Sequence, residues 1–457
     1  MTRFGASAFR LFSLTNSRKF VVVASVILSF IIIDMVFSFA GTTVSVSANW
    51  EIALFLVIAS AYGISQFLIL DFIKNKTIQI RKRVPLLRRL NGFVSKYQYV
   101  ALGSVVSVVF EIFAFSNYST TVLNWATAIN YAISGSVWGL LGFCFLSWYR
   151  SARSFVVLSY GLSSILACIA FLIWLPYNAG VLLGMPPERN IQSLPTPYQF
   201  YDLNSTMGLL QYDSAIFIVV TPILLWVSSA LMLYKYSQNL GKIKFWGIMT
   251  IPLVFIIISP TGLLFAYIPS ILGIPSSAIP LYVTMLYTLL PGILGGFLFG
   301  APFFIIAKHI SPANRILKEY LTLAAWGFIL FNLTTSGNVL TAVYPPFGFS
   351  NVMLEVTASY LIFIGLYCSA ISISEDTKLR QLIKRSLLDQ SKLFDSIGSA
   401  HIEQETIRKI TDIAREHQQI LTEQTGVESS IKEGEMEEYL QEVLREIQSS
   451  NKRKTKI

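Results

Sequence analysis

The chain has 457 residues and a formal net charge of +10, and 54% of its residues are hydrophobic while only 13% are charged. Soluble globular chains carry roughly 25% charged residues, so this composition excludes an ordinary soluble domain built around one core. Hydrocarbon offers no hydrogen-bond partner to the backbone, and apolar runs of about 20 residues indicate spanning helices rather than barrel strands. We therefore predict an all-α, polytopic integral membrane protein in contact with the lipid bilayer.

About ten apolar runs are long enough to cross a bilayer. We predict a cytoplasmic N-terminal segment at 1–19, a transmembrane domain at 20–373 and a cytoplasmic tail at 374–457. The predicted spans are 20–40, 50–73, 97–115, 123–149, 154–176, 213–235, 245–267, 280–307, 320–340 and 351–373. The run at 280–307 exceeds what a bilayer needs, so we expect a tilt or a break near Pro291.

Basic residues collect in alternate connections between the predicted spans, and the intervening connections contain only Arg189. Lys and Arg mark the cytoplasmic side of helical membrane proteins, so both termini are predicted to be cytoplasmic. Because these residues flank apolar runs and do not form a soluble basic domain, nucleic acid is excluded as a partner. We expect a location in the cell membrane, and the Arg- and Ser-containing N-terminus leaves an organellar membrane as the alternative.

From Ser374 the chain becomes polar and dense in Glu, Lys, Gln and Ser. We predict amphipathic helices at 375–397, 400–425 and 430–447, the first two of which stop at glycines. Each is too short to be stable alone. We therefore expect 374–447 to pack on the cytoplasmic loops, on a protein partner or on another copy of the chain.

Three acids lie inside predicted spans and more than three residues from either end, namely Asp34, Glu111 and Glu355. A charge at the bilayer centre costs roughly 2.5 to 3.5 kcal/mol, and no Lys or Arg lies at a matching depth. These acids are candidate cation, proton or substrate-binding residues. Their predicted polar neighbours are Asn130, Asn332 and Thr335. The structural alternative is that the acids are hydrated near the headgroups and that the neutral polar side chains join helices by hydrogen bonds.

Small residues recur at intervals of four on two predicted spans. The candidate packing or hinge residues are Gly292, Gly296, Gly300, Pro291, Gly135 and Gly139. Missing side chains allow two helix backbones to approach closely, which is the simpler interpretation. The adjacent proline makes a hinge the alternative.

The motifs of several function classes are missing from the sequence. The chain's three histidines, His309, His401 and His417, lie at or beyond the predicted cytoplasmic face, which excludes a haem held by two intramembrane histidines. There is no Walker A loop, no G-x-G-x-x-G and no C-x-x-C. We therefore predict no cofactor and no metal, and we identify no catalytic residue.

The acids and the helix-breaking residues favour a secondary transporter or permease-like protein for a small solute or cation. One alternative is a membrane sensor or scaffold that signals to cytoplasmic partners through its C-terminal helices. A further alternative is a membrane-embedded enzyme that modifies lipids with carboxylates as acid and base, although the chain carries no recognised motif for it.

Overall fold

A computed structural model describes residues 17–40, 48–183, 188–190, 205–234, 241–258, 281–310, 315–336 and 344–375, together with 398, 401–402, 405–406, 409–411 and 413 of the tail. The helices are α1 (Ser17–Ala40), α2 (Ala48–Lys76), α3 (Ile78–Arg83), α4 (Pro85–Phe115), α5 (Thr120–Ala152), α6 (Phe155–Leu183), α7 (Thr206–Leu233), α8 (Lys242–Ile258), α9 (Leu281–His309), α10 (Arg315–Ser336) and α11 (Ser350–Glu375). Two short strands, β1 (Asn117–Ser119) and β2 (Glu188–Asn190), pair antiparallel.

The described part of the chain is nearly all helical, and eight of its helices are long and apolar enough to cross a membrane. This confirms the predicted helical, multi-pass membrane class. Helices α7 and α8 lie where the sixth and seventh spans are predicted, but α8 has 17 residues and the chain at 259–280 lies outside the described residues. The span count of about ten and the side of the membrane on which each terminus lies therefore stay predictions.

Several helices extend beyond the apolar runs that predict them. Helix α4 begins at Pro85, twelve residues before the predicted span, and the proline occupies its first turn. Proline is favoured there because its fixed φ suits a helix start and the missing N–H is not needed. The added turns bury Leu87, Leu90 and Val94 and leave Arg88 and Arg89 exposed. An amphipathic turn has a low mean hydropathy, so a search for apolar runs does not detect it.

Helix α11 is the best-buried of the spanning helices, with 94% of its most apolar stretch inside the molecule, against 28% for α4. It packs along α10 and also contacts α2, α4 and α5. A spanning helix that lipid hardly touches has all its faces available for protein contacts. Polar side chains on α11 therefore face other helices rather than hydrocarbon.

Glycines lie at several contacts between helix pairs. A Cβ at Gly296 on α9 would come within 2.9 Å of Ile329 Cα on α10, and one at Gly300 within 2.8 Å of Ala325 O. On α5, a Cβ at Gly139 would lie 3.1 Å from the sulfur of Cys168 on α6. Such contacts at Gly296, Gly300 and Gly139 are the kind that small-residue repeats provide in membrane helix pairs. Helix α9 itself continues from Leu281 to His309 through both Pro291 and Pro302.

The remaining candidate glycines have similar neighbours. A Cβ at Gly292 would meet Asn332 O at 3.0 Å, and one at Gly135 would meet Cβ of Phe171 at 3.1 Å. Helices α10 and α11 each contribute a glycine to their contact, because Gly327 on α10 faces Ile362 and Gly365 on α11 faces Ala324. The position of α11 in the bundle is thus fixed partly by backbone-to-backbone contact.

Candidate functional site

Asp34 lies near the C-terminal end of α1 and is fully buried. Its carboxylate accepts hydrogen bonds from the backbone N–H groups of Gly348 (2.8 Å) and Ser350 (3.0 Å) and from the hydroxyl of Tyr62 (3.0 Å). Ser350 is the first residue of α11, and the first N–H groups of a helix have no partner within the helix. Asp34 therefore caps α11 from another helix, and its negative charge lies at the positive end of the helix dipole.

Glu355 lies on α11, also fully buried, about one and a half turns after Ser350. Its Oε2 accepts a hydrogen bond from the amide nitrogen of Asn130 on α5 (2.8 Å). Its Oε1 is buried and has no hydrogen-bond partner among the described residues. The ion pairs in that part of the chain do not include Glu355 either. One oxygen of this carboxyl group is thus left with its hydrogen-bonding capacity unused.

Asn130 connects Glu355 on α11 to α5 and α4. Its amide nitrogen also lies 3.2 Å from Oδ1 of Asn351 on α11, and its Oδ1 lies 3.1 Å from the Tyr97 hydroxyl on α4. The same hydroxyl is 2.6 Å from the backbone oxygen of Val352. These contacts join α4, α5 and α11 around Glu355. We call Glu355, Asn130, Asn351 and Tyr97 the central polar cluster.

A row of buried polar atoms continues from this cluster along α5 and α11. Ser134 follows Asn130 by one turn and Trp138 follows Ser134 by another, while Ser359 follows Glu355 by one turn on α11. Ser134 Oγ, Ser359 Oγ and Trp138 Nε1 are all buried without a hydrogen-bond partner in the described ranges. Buried polar groups are nearly always paired. Ser134, Trp138 and Ser359 therefore add three buried polar atoms without a partner to the same two helices that carry Asn130 and Glu355.

Glu111 does not join the central polar cluster. It is partly buried near the C-terminal end of α4, and its carboxylate accepts a hydrogen bond from the Ser119 N–H at 2.6 Å. Ser119 is the residue that precedes α5. Glu111 therefore holds the short connection between α4 and α5, where strand β1 also pairs with β2.

Asn332 and Thr335 lie on α10, near its contact with α9. The Asn332 amide nitrogen donates to the backbone oxygen of Phe328 (2.9 Å), and a Cβ at Gly295 would lie 2.6 Å from Asn332 Oδ1. Thr335 is exposed and its hydroxyl donates to the Phe331 backbone oxygen at 2.9 Å. The structure therefore brings Glu355 and Asn130 together and leaves the other four candidates in three separate places.

A cavity of about 330 Å³ lies at the far end of α5 and α11, where described tail residues meet the bundle. The ring of His401 lies 6.5 Å from that of Trp148 on α5 and 6.4 Å from that of Tyr367 on α11, nearly perpendicular to both. Edge-to-face contact is a favoured geometry for aromatic rings. The rest of the cavity wall includes Cys144, Ser147 and Glu405.

Sequence reasoning missed two members of the central polar cluster. Tyr97 and Asn351 stand at the predicted starts of their spans, where a polar residue is ordinarily explained by the interface. The spacing of Asn351, Glu355 and Ser359 at intervals of four is visible in the sequence and places them on one helix face. The hydroxyl of Tyr97 is identified only by the packing of α4 against α11.

No protein-family model matches the chain, and neither a curated protein nor a solved structure is significantly similar to it.

Proposed function

We propose that the protein is a secondary transporter or permease that moves a small solute or cation, and that Glu355 carries the proton or cation in that cycle. The observation that supports this most directly is the single unpartnered oxygen of a fully buried carboxyl group. An isolated carboxylate is costly to bury, so Glu355 either holds a proton or binds a cation. A residue that alternates between these states is what coupled transport requires.

The surroundings of Glu355 fit this role. Asn130 presents both a donor and an acceptor and can reorient its amide group, so the central polar cluster can accommodate either state of the carboxyl group. Ser134 and Ser359 each add a hydroxyl that can donate or accept. Asp34 and Glu111 receive backbone N–H groups at helix ends, and we assign them to holding those ends.

The test is ion flux in proteoliposomes that contain the full-length chain, with a pH-sensitive dye inside and a membrane potential imposed by valinomycin and a K⁺ gradient. Parallel liposomes carry Na⁺- and K⁺-sensitive dyes. We expect flux of one of these ions, and we expect Glu355→Gln to reduce it at least about tenfold, because removing the ionisable group changes the barrier by at least about 1.4 kcal/mol.

Asp71→Asn is the matched control, because Asp71 is an exposed acid near the end of α2 and its carboxylate contacts only the nearby Asn75 amide in the described structure. Its flux should equal that of the wild type. Unchanged flux in Glu355→Gln would remove Glu355 from the mechanism. Absence of proton, Na⁺ and K⁺ flux in the wild type would contradict transport of these cations by the chain.

A second candidate function is that of a membrane sensor in which α11 reports the state of the bilayer to the tail. The contacts of His401 with Trp148 and Tyr367, and of Gly398 with Ile373, favour it. Tyr367 and Ile373 both lie near the end of α11 from which the tail continues. A shift of α11 along its axis would therefore alter the surface on which His401 lies.

Limited trypsin digestion of the full chain in nanodiscs tests this candidate. Cleavage in the tail, after Lys409, should accelerate in His401→Ala and remain unchanged in Ile413→Ala, since Ile413 is an exposed tail residue. For a sensor, the wild-type cleavage rate must also differ between nanodiscs of short-chain and long-chain phosphatidylcholine. Equal rates in the two bilayers would contradict sensing of bilayer thickness.

A further inference from the structure

The end of the bundle formed by α3 and the first turns of α4 is strongly basic. No Asp or Glu occurs from 72 to 110, and the same stretch holds eight basic residues: Lys74, Lys76, Arg81, Lys82, Arg83, Arg88, Arg89 and Lys96. Lys76 is partly buried and forms an ion pair with Glu319 at 2.6 Å. Its charge is therefore compensated within the protein by the carboxylate of Glu319.

Four others have no ion-pair partner in the part of the chain that the structure describes. Lys82, Arg88, Arg89 and Lys96 are all exposed, and the ion pairs found there involve other residues. We call these four residues the basic surface. A topology signal requires only that basic residues remain on one side of the membrane. It does not require four exposed basic residues between 82 and 96 without an ion-pair partner in the described chain.

The exposed face of α4 continues from basic to apolar along one line. The basic part of this face contains Arg89 and Lys96. The large apolar side chains on it are between 43% and 65% exposed and belong to Phe93, Val100, Val106, Phe110 and Phe113. Large exposed apolar side chains on a spanning helix contact lipid chains. The basic surface therefore lies directly beyond the lipid-facing stripe of the same helix.

The length of α4 places the basic surface at headgroup depth. Thirty-one residues form a helix of about 46 Å, whereas the hydrocarbon core is about 30 Å thick. The excess of about ten residues matches the turns from Pro85 to Lys96. Phe93 and Tyr99 are exposed at the transition, in the position that aromatic residues favour at a membrane interface.

We propose that the basic surface binds the phosphate headgroup of an anionic phospholipid whose acyl chains lie along the exposed stripe of α4. Arg supplies a planar group of donors that matches phosphate oxygens, and Arg88 and Arg89 are adjacent. The lipid, and not a soluble phosphate compound, is the occupant because the stripe provides a surface for its chains. This inference is independent of the transport proposal.

The test reconstitutes the full-length chain in nanodiscs of phosphatidylcholine with one fifth phosphatidylglycerol and measures the lipids that remain bound, by native mass spectrometry after release into detergent. We expect phosphatidylglycerol to be enriched on the wild type. The triple variant Arg88→Gln/Arg89→Gln/Lys96→Gln should reduce the enrichment at least about tenfold, because each basic residue near a membrane surface contributes a factor of about five.

The matched control removes the same charge elsewhere, in Arg150→Gln/Lys308→Gln/Lys318→Gln. These three residues are exposed at the ends of α5, α9 and α10 and do not form one surface on a single helix. We expect the control to retain the enrichment. Equal loss in both triple variants, or no enrichment on the wild type, would overturn the proposal.

Two further measurements identify the occupant. Glycerol phosphate at millimolar concentration should not displace the bound lipid, and displacement by it would point to a site for a soluble phosphate compound. Carbodiimide cross-linking in phosphatidylcholine alone should not join Lys82 or Lys96 to acids of the tail. Efficient cross-links would make the tail the occupant and overturn the lipid proposal.

Discussion

Two buried carboxyl groups contact α11, Asp34 of α1 at the N–H of Ser350 and Glu355 as a residue of α11 itself, and their surroundings differ. Asp34 accepts three hydrogen bonds, two of them from backbone N–H groups at the start of the helix. Glu355 accepts one, from Asn130, and its second oxygen has no partner in the described chain. Both side chains are fully buried, so burial alone does not distinguish them.

Asp34 therefore has a structural role, whereas the burial of Glu355 is not explained by its contacts within the fold. At Asp34 the loss of hydration is offset by donors that have no other partner, and a capped helix is the result. At Glu355 the same loss is offset only in part, so the protein retains a destabilising feature. Between these two buried acids, the unused hydrogen-bonding capacity of Oε1, and not the charge itself, distinguishes Glu355.

The largest expected effect is that of Asp34→Ala on stability. The substitution leaves the N–H groups of Gly348 and Ser350 and the hydroxyl of Tyr62 buried without an acceptor. At roughly 1 kcal/mol for each donor, the free energy of unfolding should fall by about 3 kcal/mol. Unfolding in mixed micelles by increasing sodium dodecyl sulfate, followed by tryptophan fluorescence, measures the change.

Asp71→Ala is the control for this substitution, because it removes an exposed acid near the end of α2. Its free energy of unfolding should remain within about 0.5 kcal/mol of the wild type. A similarly small change in Asp34→Ala would mean that Asp34 does not hold the start of α11, and the contrast with Glu355 would disappear.

The next effect concerns the close contact between α10 and α11, the helix that carries Glu355. A Cβ at Gly365 would overlap the backbone of Ala324 on α10, so Gly365→Ala should push α11 away and cost about 2 kcal/mol. In Gly103→Ala on α4 the new Cβ meets no atom within 4 Å. That variant should be neutral or slightly more stable, since alanine favours a helix over glycine. Equal stability of the two variants would show that α11 adapts without loss.

Much of the fold could be predicted from hydropathy because hydrocarbon imposes helices on spanning segments. The eight helices that meet the length and composition of a membrane span all fall within or around predicted spans. The first turns of α4 escaped prediction because they are amphipathic and basic. The tail helix predicted at 375–397 lies outside the described residues apart from Glu375, and the one at 430–447 lies outside them entirely. Of the helix predicted at 400–425, only 401–402, 405–406, 409–411 and 413 are described, so all three tail helices stay predictions.

The candidate site was only partly visible in the sequence. Glu355 and Asn130 stand out because a charge and an amide interrupt apolar runs. Sequence alone could not separate Asp34 from Glu355, since two of the three donors to Asp34 are backbone groups that lie more than 300 residues further along the chain. Backbone donors leave no trace in residue identity. The pairing of α4 with α11 that brings Tyr97 to Val352 is likewise a long-range contact.

A smaller effect is expected for Tyr62→Phe, which removes one of the three donors to Asp34 and leaves the two backbone donors in place. Side-chain hydrogen bonds between membrane helices average about 0.6 kcal/mol, with a maximum near 1.7 kcal/mol. We expect a loss of about 1 kcal/mol in the same unfolding assay. Tyr99→Phe, at a residue that is 65% exposed, should be neutral. If Tyr62→Phe lowers the free energy of unfolding as much as Asp34→Ala does, the stabilising contact of Asp34 is the one with the Tyr62 hydroxyl and not those with the backbone N–H groups.

The smallest effect on stability is expected at Glu355. Glu355→Gln keeps an oxygen that can accept from Asn130 and removes a group that is costly to bury when charged. The free energy of unfolding should therefore change by less than about 0.5 kcal/mol, or increase. Asp34→Asn is the matched amide substitution, and it should cost more, since the amide places a donor against the N–H groups at the start of α11. If Glu355→Gln proves the more damaging of the two, Glu355 is a structural residue and the difference between these carboxyl groups lies elsewhere.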